Sequence, residues 1–246
     1  MSDAAPSDRA AASERTATIL EHLVELRGRL FKASIGLVVG FSIALIFYQQ
    51  LFDLVARPYL QVFPEGNLQA IRAAEPFSVA MRVSGFTGFV LASPVIFYQV
   101  WAFVAPGLTK RERRWTLPIV AALVVLFTTG VVFAYSILPR ALEVLGGFLD
   151  VTYQPAIGEY VSFALRFLLV FGLTFEFPVF LFAGAAAGFV SSKALRSGRR
   201  WAVLIIVIVS AAATPTGDAF TLFVLAGPLY ALYEVTILLI RFLLRK

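Results

Sequence analysis

The stretch "WTLPIVAALVVLFTTGVVFAYSILP", from Trp115 to Pro139, carries no charged side chain. A helix of this length would measure about 38 Å, whereas the hydrocarbon core of a bilayer is about 30 Å thick. Two more runs, Ala33–Phe52 and Val83–Thr109, are also uncharged. Segments such as "VVGFSIALIF" (residues 38–47) lack the alternation of polar and apolar residues that barrel strands need. The pattern therefore predicts transmembrane helices.

Composition places the whole chain in the same class. Of its 246 residues, 59% are hydrophobic and 15% are charged, whereas about a quarter are charged in a soluble domain. We predict an all-α integral membrane protein with six transmembrane helices. The fifth and sixth are short helices joined by a very tight turn. The segments lie near residues 33–51, 77–97, 117–138, 160–183, 201–213 and 219–240.

The lysines and arginines predict how the chain is oriented. Sixteen of the 21 fall in the termini and loops of one side, whereas the opposite side has only Arg57, Arg72 and Arg140. Arg82 and Arg166 lie within predicted helices. Because basic loops stay in the cytoplasm, both termini are predicted to be cytoplasmic. The basic charge then suits anionic lipid of the bilayer and requires no nucleic acid.

The chemistry available to the chain is limited. There is no cysteine and only one histidine, so a disulfide or thiolate metal site is excluded and no metal centre or cofactor is expected. No nucleophile elbow or phosphate-binding loop is present, which predicts a protein that is not an enzyme. Residues 1–18 are small and polar and predict a flexible cytoplasmic tail. Residues 19–246 would form a single membrane domain.

The stretch "EHLVELRGRL" (residues 21–30) places acids beside the first membrane segment. Thr18 and Glu21 fit a helix-capping box, and Glu25 and Arg29 are spaced as a stabilising i,i+4 pair. An amphipathic helix at the membrane interface is predicted. Its acids either pair with its own arginines or form a site for a cationic partner. Glu112, which lies among four basic residues, allows the same two interpretations and would share such a site with Glu25.

Two acids fall inside predicted helices. Glu176 lies deep in the fourth segment, where a charge is costly, so we expect it to face a polar cavity or a partner helix and to be functional. Glu234 in the sixth segment is as well explained by a structural pair with Arg241. On the outer side, Asp218 in "ATPTGDAF" would cap the last helix. The loop "ARPYLQVFPEG" would pack an apolar surface through Tyr59, Leu60, Val62 and Phe63.

Several motifs occur together in one order: "HLVELRGRL", "SPVIFYQVWAFVAPGL" with "ERR", "FGLTFEFPV" and "TPTGDAF…PLYALYE". From Glu21 to Phe242 the sequence resembles the TatC family, the multispanning receptor subunit of the twin-arginine protein translocase. The resemblance implies a prokaryotic cell-membrane protein that binds twin-arginine signal peptides of folded cargo. It would assemble with TatA- and TatB-type single-span subunits and with itself, and export would use the proton motive force.

The resemblance also implies roles for individual residues. The signal-peptide acids fall on Glu25 and Glu112, and the same motifs contain Arg27, Phe103, Leu108 and Arg113. Glu176 matches the intramembrane acid, Pro58 a proline of the first outer loop and Asp218 the acid of the last outer turn. Two carboxylates suit this task because each accepts an arginine fork in two parallel hydrogen bonds, which lysine cannot reproduce.

Two other functions fit parts of the sequence. A secondary transporter would use Glu176 as a proton or ion site beside Pro178, although no inverted repeat is visible. A structural membrane scaffold would leave Glu25 and Glu112 without a binding role. The short fifth segment, Trp201–Ala213, is the predicted face for a single-span partner.

Overall fold

Helices make up nearly all of the chain that the computed structural model describes, which is residues 6–104, 116–147, 155–186, 188, 191–213 and 219–244. A π-helical turn, Ile240–Leu244, follows the last α-helix. In chain order the α-helices are α1 (Pro6–Ile46), α2 (Tyr48–Val62), α3 (Glu75–Val104), α4 (Thr116–Gly146), α5 (Ile157–Thr174), α6 (Phe177–Ala186), α7 (Ser192–Ser197), α8 (Arg199–Ala213) and α9 (Ala219–Leu239).

Helix α1 joins the predicted amphipathic helix and the first membrane segment without a break. It begins at Pro6, so Thr18 is not its cap and the predicted helix start is wrong. Proline suits a first helical position because its missing N–H is not needed there. The helix ends at Ile46, before the predicted limit at residue 51, because helical geometry is interrupted at Phe47 and resumes as α2. The division into a tail and one domain stays a prediction.

Among the described residues, five stretches are long and apolar enough to cross a membrane: His22–Ile46, Glu75–Phe103, Thr116–Gly146, Ile157–Ala186 and Leu222–Phe242. The predicted fifth segment forms α8, whose 15 residues extend about 22 Å. The count of six spans therefore stays a prediction. The prediction of a short sixth helix is wrong, because α9 has 21 residues.

The fourth membrane segment is two helices instead of one. Helix α5 ends at Thr174 and α6 begins at Phe177, which leaves Phe175 and Glu176 between them. Pro178 is the second residue of α6. Its ring disfavours a continuous helix through the preceding residues, whereas its missing N–H is harmless in a first turn. Glu176 thus lies at a helix break within the membrane.

The first outer loop is also more helical than predicted. Helix α2 contains Pro58 and runs to Val62. The expected apolar packing is confirmed for Tyr59, which is fully buried and contacts the rings of Phe63 and Tyr160 at 5.2 and 5.3 Å between centroids. It is wrong for Leu60, which remains 47% exposed.

Two sides of the molecule can be defined by helix α3. It begins on one side, here named the Glu75 side, and ends on the other, named the Trp101 side. Helix α5 begins beside Glu75, whose Oε1 atom accepts the Gly158 N–H at 2.8 Å. A parallel bridge between Gln69 and Ala156 joins the preceding loops. Helices α3 and α5 therefore run in the same direction, and α1 runs against them.

The core lies where α3, α4 and α5 meet. Phe127 of α4 is fully buried and meets the rings of Phe89 and Phe97 edge to face, at 5.6 and 5.5 Å. Phe167 and Phe171 of α5 are equally buried, and their ring centroids lie 4.5 Å apart. Lipid tails are as apolar as the side chains, so the hydrophobic effect does not drive membrane helices together and close packing must do so. Edge-to-face aromatic pairs add to this packing. This packing holds in place the helices that carry the polar residues of the candidate site.

Candidate functional site

Residues 22–29 of α1 place Glu25 near the end of α3, with His22 between them. The Glu25 Oε1 atom accepts hydrogen bonds from Arg29 Nε at 3.0 Å and Arg29 Nη2 at 2.5 Å. One turn earlier, the His22 ring stacks on Phe103 with 4.3 Å between centroids. The i,i+4 pair predicted from the sequence is therefore confirmed. Glu25 and Phe103, both predicted to bind signal peptide, lie near one another through His22.

The Glu25 carboxylate keeps part of its capacity to accept hydrogen bonds. Its Oε2 atom lies 3.8 Å from His22 Nδ1, which is too far for a hydrogen bond. No described side chain donates to Oε2, and the Glu25 side chain is 36% exposed. A carboxylate offers about four acceptor positions. Glu25 could therefore accept a second cation while Arg29 stays bound.

The remaining predicted signal-peptide residues divide into two groups. Arg27 is exposed and lines an open groove with Val24 and Phe31 on one face of α1. Leu108, Glu112 and Arg113 lie outside the described residues. Whether Glu112 meets Glu25 therefore stays a prediction. Asp218 and its capping role also lie outside the described residues.

Glu176 is buried inside the protein at the break between α5 and α6. Only 2% of it is exposed, and neither carboxylate oxygen has a hydrogen-bond partner among the described residues. Whether it faces a polar cavity or a partner helix stays a prediction. On the same segment, Pro178 and Val179 line an apolar groove with residues of α9. Leaving a buried polar group without a partner costs free energy, so this acid does not stabilise the fold.

Glu234 belongs to a structural pair, but not with Arg241. Its Oε2 atom accepts a hydrogen bond from Arg199 Nη2 at 2.7 Å, and its Oε1 atom accepts one from Tyr230 at 3.0 Å. Arg241 instead lies over the Phe242 ring at 6.0 Å. The sequence predicts a pair with Arg241, which follows on the same helical segment, whereas the packing of α8 against α9 brings Arg199 closer to Glu234. Glu234 thus joins these two helices.

Pro58 changes the hydrogen bonding of α2. A proline has no N–H to offer the carbonyl four residues earlier, which here is Leu54. The Leu54 oxygen instead accepts the Tyr135 hydroxyl of α4 at 2.8 Å. The next carbonyl, Val55, accepts the buried Tyr160 hydroxyl of α5 at 2.6 Å. Pro58 therefore helps to attach α2 to α4 and α5 on the Glu75 side.

This geometry predicts that Pro58 and Tyr135 are energetically coupled. In Tyr135→Phe the Leu54 oxygen loses its donor, which should reduce stability by about 1 kcal/mol. In Pro58→Ala the new N–H of residue 58 can bind that oxygen within the helix. The double variant should therefore lose less stability than the sum of the two single variants, by about 1 kcal/mol. Thermal unfolding of the four proteins in detergent measures this, and additive losses would contradict it.

Sequence reasoning missed Glu75. Besides Gly158, its carboxylate accepts the N–H groups of Ile71 at 2.7 Å and Arg72 at 3.1 Å. It therefore closes the loop before α3 and ties it to the start of α5. Its position directly before Pro76 was a usable signal, because acids are favoured in the first turn of a helix. The partner Gly158, 83 residues away, gave none.

The fold and these residues define an all-helical membrane protein of several spans, with an acid buried inside the membrane and charged groups where helices begin and end. A sequence profile of the family described as Sec-independent protein translocase protein (TatC) matches residues 21–228. The chain belongs to the TatC family. It is thus a component of the Tat protein translocase, a bacterial membrane transport system, and not an enzyme.

Individual relatives agree with this result. A TatC protein of Desulforapulum autotrophicum is 39% identical over 92% of this chain and 84% of its own length. One from Aquifex aeolicus is 36% identical over 93% of this chain and 96% of its own. Among solved structures, a crystal structure of the twin-arginine translocase receptor TatC in the detergent DDM superposes with a TM-score of 0.77. It is 36% identical and covers 89% of this chain and 99% of the other.

Proposed function

We propose that the chain is the signal-peptide receptor subunit of a twin-arginine translocase, which exports folded proteins across the prokaryotic cell membrane using the proton motive force. The similarity to a structure described as a twin-arginine translocase receptor supports this. The observation that carries it is the geometry of Glu25. This acid already binds one guanidinium through Oε1, and Oε2 accepts no hydrogen bond from the described side chains.

Recognition would take place on the Trp101 side. Glu25 and Glu112 would each accept one arginine of the signal peptide in charge-assisted hydrogen bonds. Phe103 and Leu108 would contact its apolar part. Arg27 and Arg113 would keep the site from binding every basic peptide. Lysine would bind less well because its ammonium group lacks the planar fork. This places the specificity for arginine in the pair of acids.

The orientation follows from the charge bias. Six spans with both termini in the cytoplasm would place the Trp101 side, which carries the basic loops, in the cytoplasm. TatA- and TatB-type subunits and further copies of this chain would be partners. Helix α8 is the candidate contact for a single-span subunit, because its length leaves it short of the bilayer thickness.

The experiment is binding of a fluorescent twin-arginine signal peptide to the protein in nanodiscs, with a twin-lysine peptide of equal charge as the comparison. Glu25→Gln and Glu112→Gln should each weaken binding of the arginine peptide by about tenfold, because each loses a charge-assisted hydrogen bond. The preference for arginine over lysine should disappear in the double variant.

Glu143→Gln is the matched control. Glu143 is a partly exposed glutamate whose Oε2 atom binds Arg140 Nη1 at 2.6 Å, but it lies at the end of α4 on the Glu75 side. Its substitution changes the net charge equally and should leave peptide binding unchanged. Equal affinity of the wild type and the Glu25/Glu112 double variant would refute the proposal. Uptake of a small solute by the protein alone in liposomes would support the secondary transporter instead.

A further inference from the structure

We propose that the groove between α3 and α5 binds an anionic phospholipid, with the lipid phosphate at Arg82 and Arg166 and an acyl chain along the apolar floor. The two arginines are exceptional in position, because they fall inside membrane segments near the Glu75 side. The proposed receptor site lies on the Trp101 side. The lipid site is therefore a separate feature of the molecule.

The two guanidinium groups converge on one residue. Arg82 Nη1 donates to the Ser162 hydroxyl at 2.5 Å and to the Gly158 carbonyl at 3.3 Å. Arg166 Nε donates to the Ser162 carbonyl at 3.1 Å. Both side chains are exposed. Both arginines thus bind Ser162 and line the same surface groove.

No described carboxylate forms an ion pair with Arg82 or Arg166. The described ion pairs, all with N···O distances of 4.0 Å or less, do not include Arg82 or Arg166. The nearby Glu75 carboxylate already accepts three backbone N–H groups, from Ile71, Arg72 and Gly158. Charges inside a membrane normally pair with one another or with backbone carbonyls and often mark a functional site. The described contacts to Gly158 and Ser162 use one nitrogen of each guanidinium, which leaves further N–H donors for a ligand. An external anion would therefore be favoured between the arginines.

The depth of the arginines matches lipid phosphate. The candidate span in α3 covers 29 residues from Glu75 to Phe103, or about 43 Å, close to the full bilayer thickness with its headgroups. Arg82 begins about 10 Å below Glu75, near the edge of the hydrocarbon core. Arg166 begins slightly deeper, but its bond to Ser162 one turn earlier turns it back towards the Glu75 side. Long basic side chains reach the headgroup layer in this way.

The groove below the arginines suits an acyl chain. It has a volume of about 470 Å³, is open to the bilayer, and is lined by Phe86, Phe89, Leu165 and Leu169. Gly85 also lines it, and a Cβ atom at that position would meet no atom within 4 Å. Cationic groups at the headgroup level above an apolar channel match a phospholipid more closely than free phosphate, which has no use for the channel.

The test is native mass spectrometry of the full-length protein in detergent, titrated with phosphatidylglycerol, phosphatidylcholine and diacylglycerol of identical acyl chains. Phosphatidylglycerol should bind best and diacylglycerol least. The double variant Arg82→Gln/Arg166→Gln should bind phosphatidylglycerol about tenfold less, because charge-assisted hydrogen bonds to the phosphate are lost. Unchanged binding would overturn the proposal.

Matched variants separate lipid binding from folding. Arg57→Gln/Arg140→Gln removes two arginines from the same side of the protein and should leave lipid binding unchanged. Arg82→Lys/Arg166→Lys keeps both charges and should restore binding to within about threefold of the wild type, because lysine binds phosphate as a point charge. A loss as large as that of the glutamine variant would contradict a charge-based site.

Gly85→Leu tests the acyl chain. The leucine would occupy the groove without a clash at Cβ, so binding of phosphatidylglycerol should fall by about fivefold while both arginines remain. Inorganic phosphate serves as the competing probe. If phosphate displaced the lipid at equal concentration and Gly85→Leu had no effect, the site would be one for free anions and the lipid proposal would be wrong.

Discussion

Replacing Gly88 by alanine is expected to lower the stability of the protein by more than about 2 kcal/mol, because a single methyl group would force α1 away from α3. A Cβ atom at Gly88 would lie 2.6 Å from both the N and Cα atoms of Phe41. The obstacle is the backbone of another helix, so a rotamer change cannot relieve it. Gly88→Leu should prevent stable folding.

The contact is close on both helices. A Cβ atom at Gly40 would lie 2.5 Å from the Gly88 carbonyl oxygen, and one at Gly36 would lie 3.1 Å from the Val95 side chain. Gly36 and Gly40 form a G-x-x-x-G pattern, which lets membrane helices approach until their backbones touch. Dispersion forces between the helices depend on this short distance. Gly36→Ala should therefore cost less than Gly40→Ala, because a side chain can yield.

Gly85→Ala is the matched control, three residues earlier on the same helix. Its Cβ atom would meet nothing within 4 Å, and alanine is a better helix former than glycine by up to about 1 kcal/mol. The control should therefore be neutral or slightly stabilising. Thermal unfolding in detergent compares the two variants. Equal effects at Gly85 and Gly88 would show that the α1–α3 contact does not limit stability.

The membrane segments could be predicted because their cause is local. A charge-free run long enough to span a bilayer is visible in the sequence, and five of the six predicted segments coincide with a candidate span. One of these, the fourth, is divided into α5 and α6. The break at Glu176 could also have been found from Pro178, because the residue before a proline avoids helical geometry. Helix α2 replaces part of the predicted outer loop, because Pro58 is tolerated inside a helix whose Leu54 carbonyl accepts the Tyr135 hydroxyl instead.

The polar contacts could not be predicted, because they depend on how distant helices pack. Glu234 meets Arg199, 35 residues earlier, and Glu75 meets Gly158, 83 residues later. The sequence shows helix neighbours such as Glu25 and Arg29, whose contact follows from spacing alone. It therefore located the individual candidate residues but assigned Glu234 to the wrong cation. It also gave no indication that Arg82 and Arg166 meet at Ser162.

Glu176 and Glu234 are expected to respond in opposite ways to the same substitution. Glu176→Leu should raise stability by roughly 1 to 3 kcal/mol, because it removes a buried carboxyl group that has no hydrogen-bond partner among the described residues. Glu234→Leu should lower stability by up to about 1 kcal/mol, since Arg199 and Tyr230 lose the partially exposed acid that they bind. Thermal unfolding of both variants in detergent measures the two shifts.

An acid that weakens the fold would be kept only for its function, because stability and activity are often in conflict at functional sites. On the proposed function, Glu176→Leu should reduce export of a folded twin-arginine substrate by at least about tenfold while the protein becomes more stable, a loss of at least about 1.4 kcal/mol in the limiting step. Glu176→Gln keeps a polar group of nearly the same shape at the α5–α6 break but removes the ionisable carboxyl group. It therefore separates the effect of side-chain shape from the effect of charge. A stabilised Glu176→Leu protein with normal export would show that the buried acid has no role in transport.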